Sequence, residues 1–290
     1  MMQNKLRYAL KTWVLPPAFT QMINRARDFA NSSLLQSRQG RQLLKQNTAL
    51  KDRHTGTRCF ILGAGSSIAK QDLKKLKGEF VISVSNTFVH PDFPLFHPRY
   101  HVTPRMLDGH SEWYSENQFV DWLKEMERGT LDAEMFFHIG DRRVIERNGL
   151  FKNRRIYWVE YCSWGGGLST PINLANVPRI WSVSELAITI AIYMGFNKIY
   201  LLGIDHDWFI GPQIYFYDQA TQHALQPHRI KLGVDSEFQM RRHADIFRKY
   251  KYLYSIKKNI YNANANPSHY LDVFPKVDYD GLFVDPARQE

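Results

Sequence analysis

The stretch Arg58-Cys-Phe-Ile-Leu-Gly-Ala-Gly-Ser-Ser-Ile68 reads as an apolar strand that runs into a glycine turn. Junctions of this kind open many nucleotide-binding sheets, and the glycine spacing tells them apart. A dinucleotide fingerprint has glycine at the first, third and sixth positions, with an acid about 20 residues on for the ribose. Gly63 and Gly65 meet the first two conditions, but Ile68 stands sixth and the next strand ends in Ser85-Asn86. A Walker loop is excluded as well, because no Gly-Lys-Ser/Thr follows. What remains is a turn whose Gly63 and Gly65 let the backbone approach a ligand. Ser66 and Ser67 stand where the next helix is expected to begin, and free N–H groups there favour a phosphate. Asn86, one strand over, offers both a donor and an acceptor to a base or ribose. The same glycines also serve strand-to-helix turns for structural reasons alone.

Outward from this junction the pattern alternates. Strands are predicted at 58–63, 80–85, 99–103, 134–138, 155–160, 198–203 and 259–263. Helices are predicted at 68–76, at 115–128 opened by Ser111 or Ser115, at 182–194, and at 236–256. The third of these has Ser182 or Ser184 as N-cap, Glu185 in its first turn and Gly195 as its stop. Strands separated by helices predict an α/β fold, a Rossmann-like and mostly parallel sheet with helices on both faces. Residues 206–235, rich in aromatics and histidine, read as a lid inserted into it.

The charge is unevenly placed. The net charge is +10, yet residues 1–58 hold eleven Lys and Arg against Asp28 and Asp52, so the remaining 232 residues carry about +1. A uniformly basic nucleic-acid binder has no such asymmetry, and no nucleic-acid partner is expected. Two units follow: a basic helical arm, 1–57, and a nucleotide-binding α/β domain, 58–290. In the arm Phe19, Met22, Ile23, Ala26, Phe29 and Ala30 recur at helical spacing, behind an apolar-basic patch from Leu6 to Leu15. Such a helix can lie on an anionic membrane, or pack on the domain or on a second copy of the chain in a homo-oligomer. No stretch reaches the ~18 apolar residues of a spanning helix, and no signal peptide is read. Two cysteines, Cys59 and Cys162, have no metal-ligand spacing and fit a reducing compartment, the cytoplasm.

A second constellation lies in Lys198–Trp208, "KIYLLGIDHDW", where an apolar strand ends in Gly203 and then Asp205, His206 and Asp207. Ligands bind at the carboxyl ends of strands in parallel sheets. Ahead of it, "PRIWSVSE" from Pro178 to Glu185 offers hydroxyls and amides as a further anion site. The pair Asp205 and Asp207 is also a candidate for metal, as in many nucleotide-sugar transferases, or Asp207 simply caps the loop.

Taken together, "ILGAGSSI", "VISVSNTF", "RIWSVSELAITIAIYMGFNKIYLLGID" and "IYFYD" resemble the bacterial sialyltransferases of glycosyltransferase family 42. They are equally similar to the MptE-like domain of Maf-type flagellin glycosyltransferases and of a hydroxymethylpterin diphosphokinase. The likeness covers about residues 58–265 and leaves the arm outside. It implies that Gly63, Gly65, Ser66, Ser67 and Asn86 hold the cytidine monophosphate (CMP) of a sugar donor, with Ser182 and Ser184 near its phosphate and sugar; Asp205, at the end of its strand, joins the donor-binding candidates by position. It implies further that Arg179 and Tyr215 stabilise the departing phosphate. The family's second tyrosine falls near Asp207-Trp208, and its catalytic histidine falls near Met240, three residues from His243.

The activity so implied is an inverting transfer of a CMP-linked acidic keto sugar, a sialic-acid-like nonulosonate or Kdo, to a cell-surface glycan or lipid-linked acceptor. No cofactor is required. The acceptor hydroxyl needs a base that titrates near neutrality, for which His243 and His206 are candidates, with His223 and His228 behind them. Such an enzyme would sit in the cytoplasm, peripheral on the inner face of the bacterial inner membrane. Two other readings stand beside it: a diphosphokinase of the pterin type holding Mg²⁺ on Asp205 and Asp207, and a non-catalytic nucleotide-binding protein.

Overall fold

The strands are continuous apolar runs because the sheet is covered on both faces. In Glu134–His138, for example, every residue is buried. The computed structural model describes residues 38–106, 115–161, 172–178, 180–206, 215–217, 236–265 and 271–284. Within them lie β1 (Arg58–Leu62), β2 (Phe80–Val84), β3 (Tyr100–Val102), β4 (Glu134–His138), β5 (Ile156–Val159), β6 (Lys198–Leu202) and β7 (Ile260–Asn262). All pair in parallel, in the order β5-β4-β3-β2-β1-β6-β7.

The helices are α1 (Arg38–Lys45), α2 (Phe93–Phe96), α3 (Glu116–Gly129), α4 (Arg142–Arg147), α5 (Val183–Tyr193) and α6 (Ser236–Ile256). Side chains alternate across each strand, so two cores form. On one face Ile61, Ile82, Phe136 and Leu201 meet Leu186 and Ile190 of α5 and Ile246 and Tyr250 of α6. On the other, Phe60, Leu62, Met135 and Phe137 meet Phe119, Leu123 and Met126 of α3. Capping boxes fix two of these helices. Ser115 and Gln118 cap α3, and Ser182 and Glu185 cap α5. Gly195, at φ +79°, ends α5 as its position predicts.

One predicted element is corrected. Residues 68–76 do not form a helix; two 3-10 turns, Ser66–Lys70 and Leu73–Leu76, take their place. Asp72 restarts the chain between them by accepting the Lys74 N–H, and Ile68, Leu73 and Leu76 still reach the core.

Residues 38–57 pack on the α/β body. Leu44 and Leu50 are buried, and Asn47 Nδ2 donates to Trp158 O (2.6 Å), so this segment covers the free edge of β5. The reading of residues 1–37 as an amphipathic helix lies outside the described residues. Among the described residues no helix is long and apolar enough to cross a membrane.

Candidate functional site

From β1 the sheet is extended by β2 on one side and by β6 on the other, so the β1–β6 boundary is the point where strand order reverses. In open parallel sheets the crevice that takes a ligand lies at such a point, beyond the carboxyl ends of the strands. The two turns that form its floor touch each other. Gly63 N–H donates to Leu202 O (2.7 Å) and Gly65 N–H to Gly203 O (2.8 Å). A Cβ on Gly63 would overlap Gly203 O, and one on Gly65 would overlap Asp205 Oδ2 and lie 2.7 Å from Gly203 O. The glycines therefore permit the close approach of one turn to another.

The physical ground for a phosphate cradle on this turn is accordingly corrected. The turn opens a five-residue 3-10 segment, with little of the dipole that a longer helix supplies. The Ser67 N–H already donates to Asp205 Oδ2 (3.0 Å). Gly63, Gly65, Ser67 and Asp205 thus hold the floor together. Ser66 enters none of these bonds and is half-buried on the same turn.

Three other predicted residues, Ser182, Ser184 and His206, share one hydrogen-bonded network through Tyr250, with the His243 ring beside it. Ser182 Oγ lies 2.6 Å from Ser184 Oγ, Ser184 Oγ lies 2.7 Å from Tyr250 Oη, and Tyr250 Oη lies 2.5 Å from His206 Nε2. The His243 ring stands edge-on to His206 with centroids 6.3 Å apart. Burial, then the neighbouring His243 and Arg242, lowers the His206 pKa to about 3. Burial, then Arg242, lowers that of His243. Burial raises the Tyr250 phenol far above its ordinary range. Near pH 7 the chain therefore holds neutral imidazoles and a protonated phenol, and its bonds are consistent with Tyr250 O–H donating to His206 Nε2. His206 itself stands at φ +50°, a conformation that costs a non-glycine residue roughly 1 kcal/mol or more.

The α5 N-terminus is not an open anion site. Glu185 Oε2 accepts from the Trp181 and Ser182 N–H groups at 2.7 and 2.6 Å, and Glu185 Oε1 pairs with Lys249 Nζ at 3.0 Å. Ser182 and Ser184 serve the histidine network instead.

Asn86 lies on the other flank of the crevice, buried. Its Oδ1 accepts from Trp122 Nε1 (2.6 Å) and its Nδ2 donates to Tyr217 Oη (3.1 Å). Tyr217 stacks on Tyr215, with centroids 5.1 Å apart, and Tyr215 pairs with Gly65 as a β-bridge. Asn86 therefore fastens the segment 215–217 over the glycine turn. The structure brings Gly63, Gly65, Ser66, Ser67, Asn86, Ser182, Ser184, Asp205, His206, Tyr215 and His243 to the same end of the sheet. Arg179, Asp207, His223 and His228 lie outside the described residues.

The chain matches no protein-family model, and no curated protein matches it. The geometry alone ranks the residues. It adds three that the sequence reading missed, namely Tyr250, Tyr217 and Trp122. Tyr250 had a signal: it follows His243 by seven residues, two turns along one face of α6. Among the described residues no group of three or more His, Cys, Asp or Glu is arranged to hold a metal ion.

Proposed function

We propose that the protein is a glycosyltransferase that moves a CMP-linked acidic keto sugar, of the nonulosonate or Kdo type, to a glycan or lipid-linked acceptor. The observation that carries this reading is the chain Ser182–Ser184–Tyr250–His206 at the carboxyl ends of the strands, with the neutral His243 ring edge-on to His206. In the transfer, the acceptor hydroxyl gives its proton to His243 while its oxygen bonds to the anomeric carbon. The carbon–oxygen bond to phosphate breaks on the opposite face, so the configuration inverts and CMP leaves with the electron pair. The Ser66 and Tyr215 hydroxyls would donate to that phosphate, Ser66 from the glycine turn and Tyr215 from the segment bridged to it. Tyr250 and His206 act as positioning residues that fix the crevice wall beside His243.

The diphosphokinase reading would place Mg²⁺ on Asp205 and Asp207. Asp205 Oδ2 is tied to the Ser67 N–H, which favours the transferase. The arm, 1–57, would keep the enzyme on the inner face of the inner membrane, beside lipid-linked acceptors.

The test is CMP release from CMP-linked nonulosonate or Kdo by the full chain in the presence of a glycan acceptor. His243→Asn is expected to lower turnover by about 10²-fold or more. For Tyr250→Phe a smaller loss is expected, with unchanged donor KM. Because burial lowers the His243 pKa, the base form persists into mild acid. The rate should therefore be flat above pH 6.5 and fall only below it. Full activity in His243→Asn, or turnover of ATP with Mg²⁺ alone, would contradict the assignment.

A further inference from the structure

The opposite end of the sheet, where the strands begin, carries a cluster that the transfer chemistry does not use. Glu134, buried at the start of β4, is met by two guanidinium groups and a phenol, and a third guanidinium meets that phenol. Arg99 Nη2 lies 2.5 Å from its Oε1, while Arg53 Nη1 lies 3.5 Å from its Oε2. Tyr157 Oη donates to the same Oε2 (2.6 Å) and accepts from Arg53 Nη1 (3.0 Å), and Arg155 interacts with that phenol too. One carboxylate needs one guanidinium; three leave an excess of two positive charges. Arg53, Arg99 and Arg155 are all exposed. None sits in the last turn of a helix, so they do not serve to complement helix ends.

The charge around the cluster has the same sign. Residues 59–290 carry about +1 in total, yet the loops that lead into the strands (77–79, 97–99, 130–134, 148–155, 194–198 and 257–259) hold eight Lys and Arg against three acids. That end of the domain is therefore +5 and the rest −4. The basic arm joins the body here. Its last residues run beneath the strand starts, with Asp52 N–H donating to Tyr193 O and His54 N–H to Met194 O at the end of α5.

We infer that the strand-start end of the sheet, centred on Arg53, Arg99 and Arg155, is a docking surface for an anionic lipid bilayer, continuous with the basic arm. The occupant is identified by charge complementarity over a broad surface, since lipid phosphates present many anions in one plane. With five-residue strands, the crevice at the far end then stands about 20 Å from the bilayer and faces away from it. On the transferase reading, the reacting hydroxyl belongs to a glycan long enough to rise that far from its lipid.

The test needs no sugar donor, so its failure is separate from failure of the transferase assignment. Vesicles of phosphatidylcholine with phosphatidylglycerol are sedimented with the full chain at low salt. Arg53→Gln/Arg99→Gln/Arg155→Gln is expected to weaken binding by about tenfold or more. A control that removes three exposed charges elsewhere, Lys70→Gln/Lys124→Gln/Arg248→Gln, is expected to change it by less than about threefold. Arg99→Gln/Arg155→Gln keeps Arg53 on Glu134 and guards against loss of the fold. The lysine triple at the three rim positions should retain most of the binding. Equal losses in rim and control variants, loss only on removing residues 1–37, or no binding by the wild type would each overturn the inference.

Discussion

Replacing Gly203 with alanine is expected to destabilise the protein by about 3 kcal/mol, with two causes that add. Gly203 stands at φ +63°, where a side chain costs roughly 1–2 kcal/mol. Its Cβ would overlap Gly63 O and lie 2.6 Å from Ile68 Cγ2, and overpacking of a tight core costs roughly 1–3 kcal/mol. At about 2–4 °C per kcal/mol for a chain of this size, the melting temperature should fall by about 6–12 °C. Gly78→Ala is the matched control. It shares the positive φ, at +84°, but a Cβ there meets nothing within 4 Å, so only the backbone cost remains. Thermal melts that show equal losses for the two variants would remove the contact between the β1 and β6 turns as the reason for glycine.

Mild acid should destabilise the fold by an amount of similar size. His101 and His206 are both fully enclosed, and burial lowers each pKa to about 3. In the unfolded chain each titrates near 6.5, so between pH 6.5 and 3 the unfolded state holds the extra protons. Stability therefore falls as pH falls through that window. Two such groups together lose at most about 3–4 kcal/mol between pH 7 and 5. His54, His90, His138 and His243 are shifted in the same direction. Glu185, raised by burial, opposes them only near and above its ordinary pKa. Urea unfolding at pH 7, 6 and 5 measures the slope, which His206→Asn should reduce. A midpoint that holds constant across that range would contradict the burial of neutral imidazoles.

The sheet was legible because each strand is short, apolar and bounded by turn residues, and α5 because Ser182, Glu185 and Gly195 mark both its ends. The 68–76 segment misled, since Asp72 looks like any polar residue on an exposed helix face until its side chain is seen to cap a second turn. The glycine turn misled for a deeper reason. Gly63 and Gly65 look the same in sequence whether a ligand or another turn fills the space beside them. The filling atoms belong to Gly203 and Asp205, about 140 residues on. His206 and His243 could be picked out by residue type. Tyr250, which links His206 to Ser184, shares a face of α6 with His243, but that spacing alone does not separate it from an ordinary core aromatic. Nor could Asn86 reveal that its amide joins Trp122 to Tyr217, because neither partner is near it in sequence.

The central claim is that the crevice between β1 and β6 holds a cytidine nucleotide. Calorimetric titration of the full chain with CMP in the presence of a chelator tests it most directly. The account predicts saturable one-to-one binding tighter than about 1 mM, unchanged by Mg²⁺ and weakened by Tyr215→Ala, with a matching rise in melting temperature. Absence of heat and of any thermal shift with CMP, or binding that appears only with ATP and Mg²⁺, would contradict it.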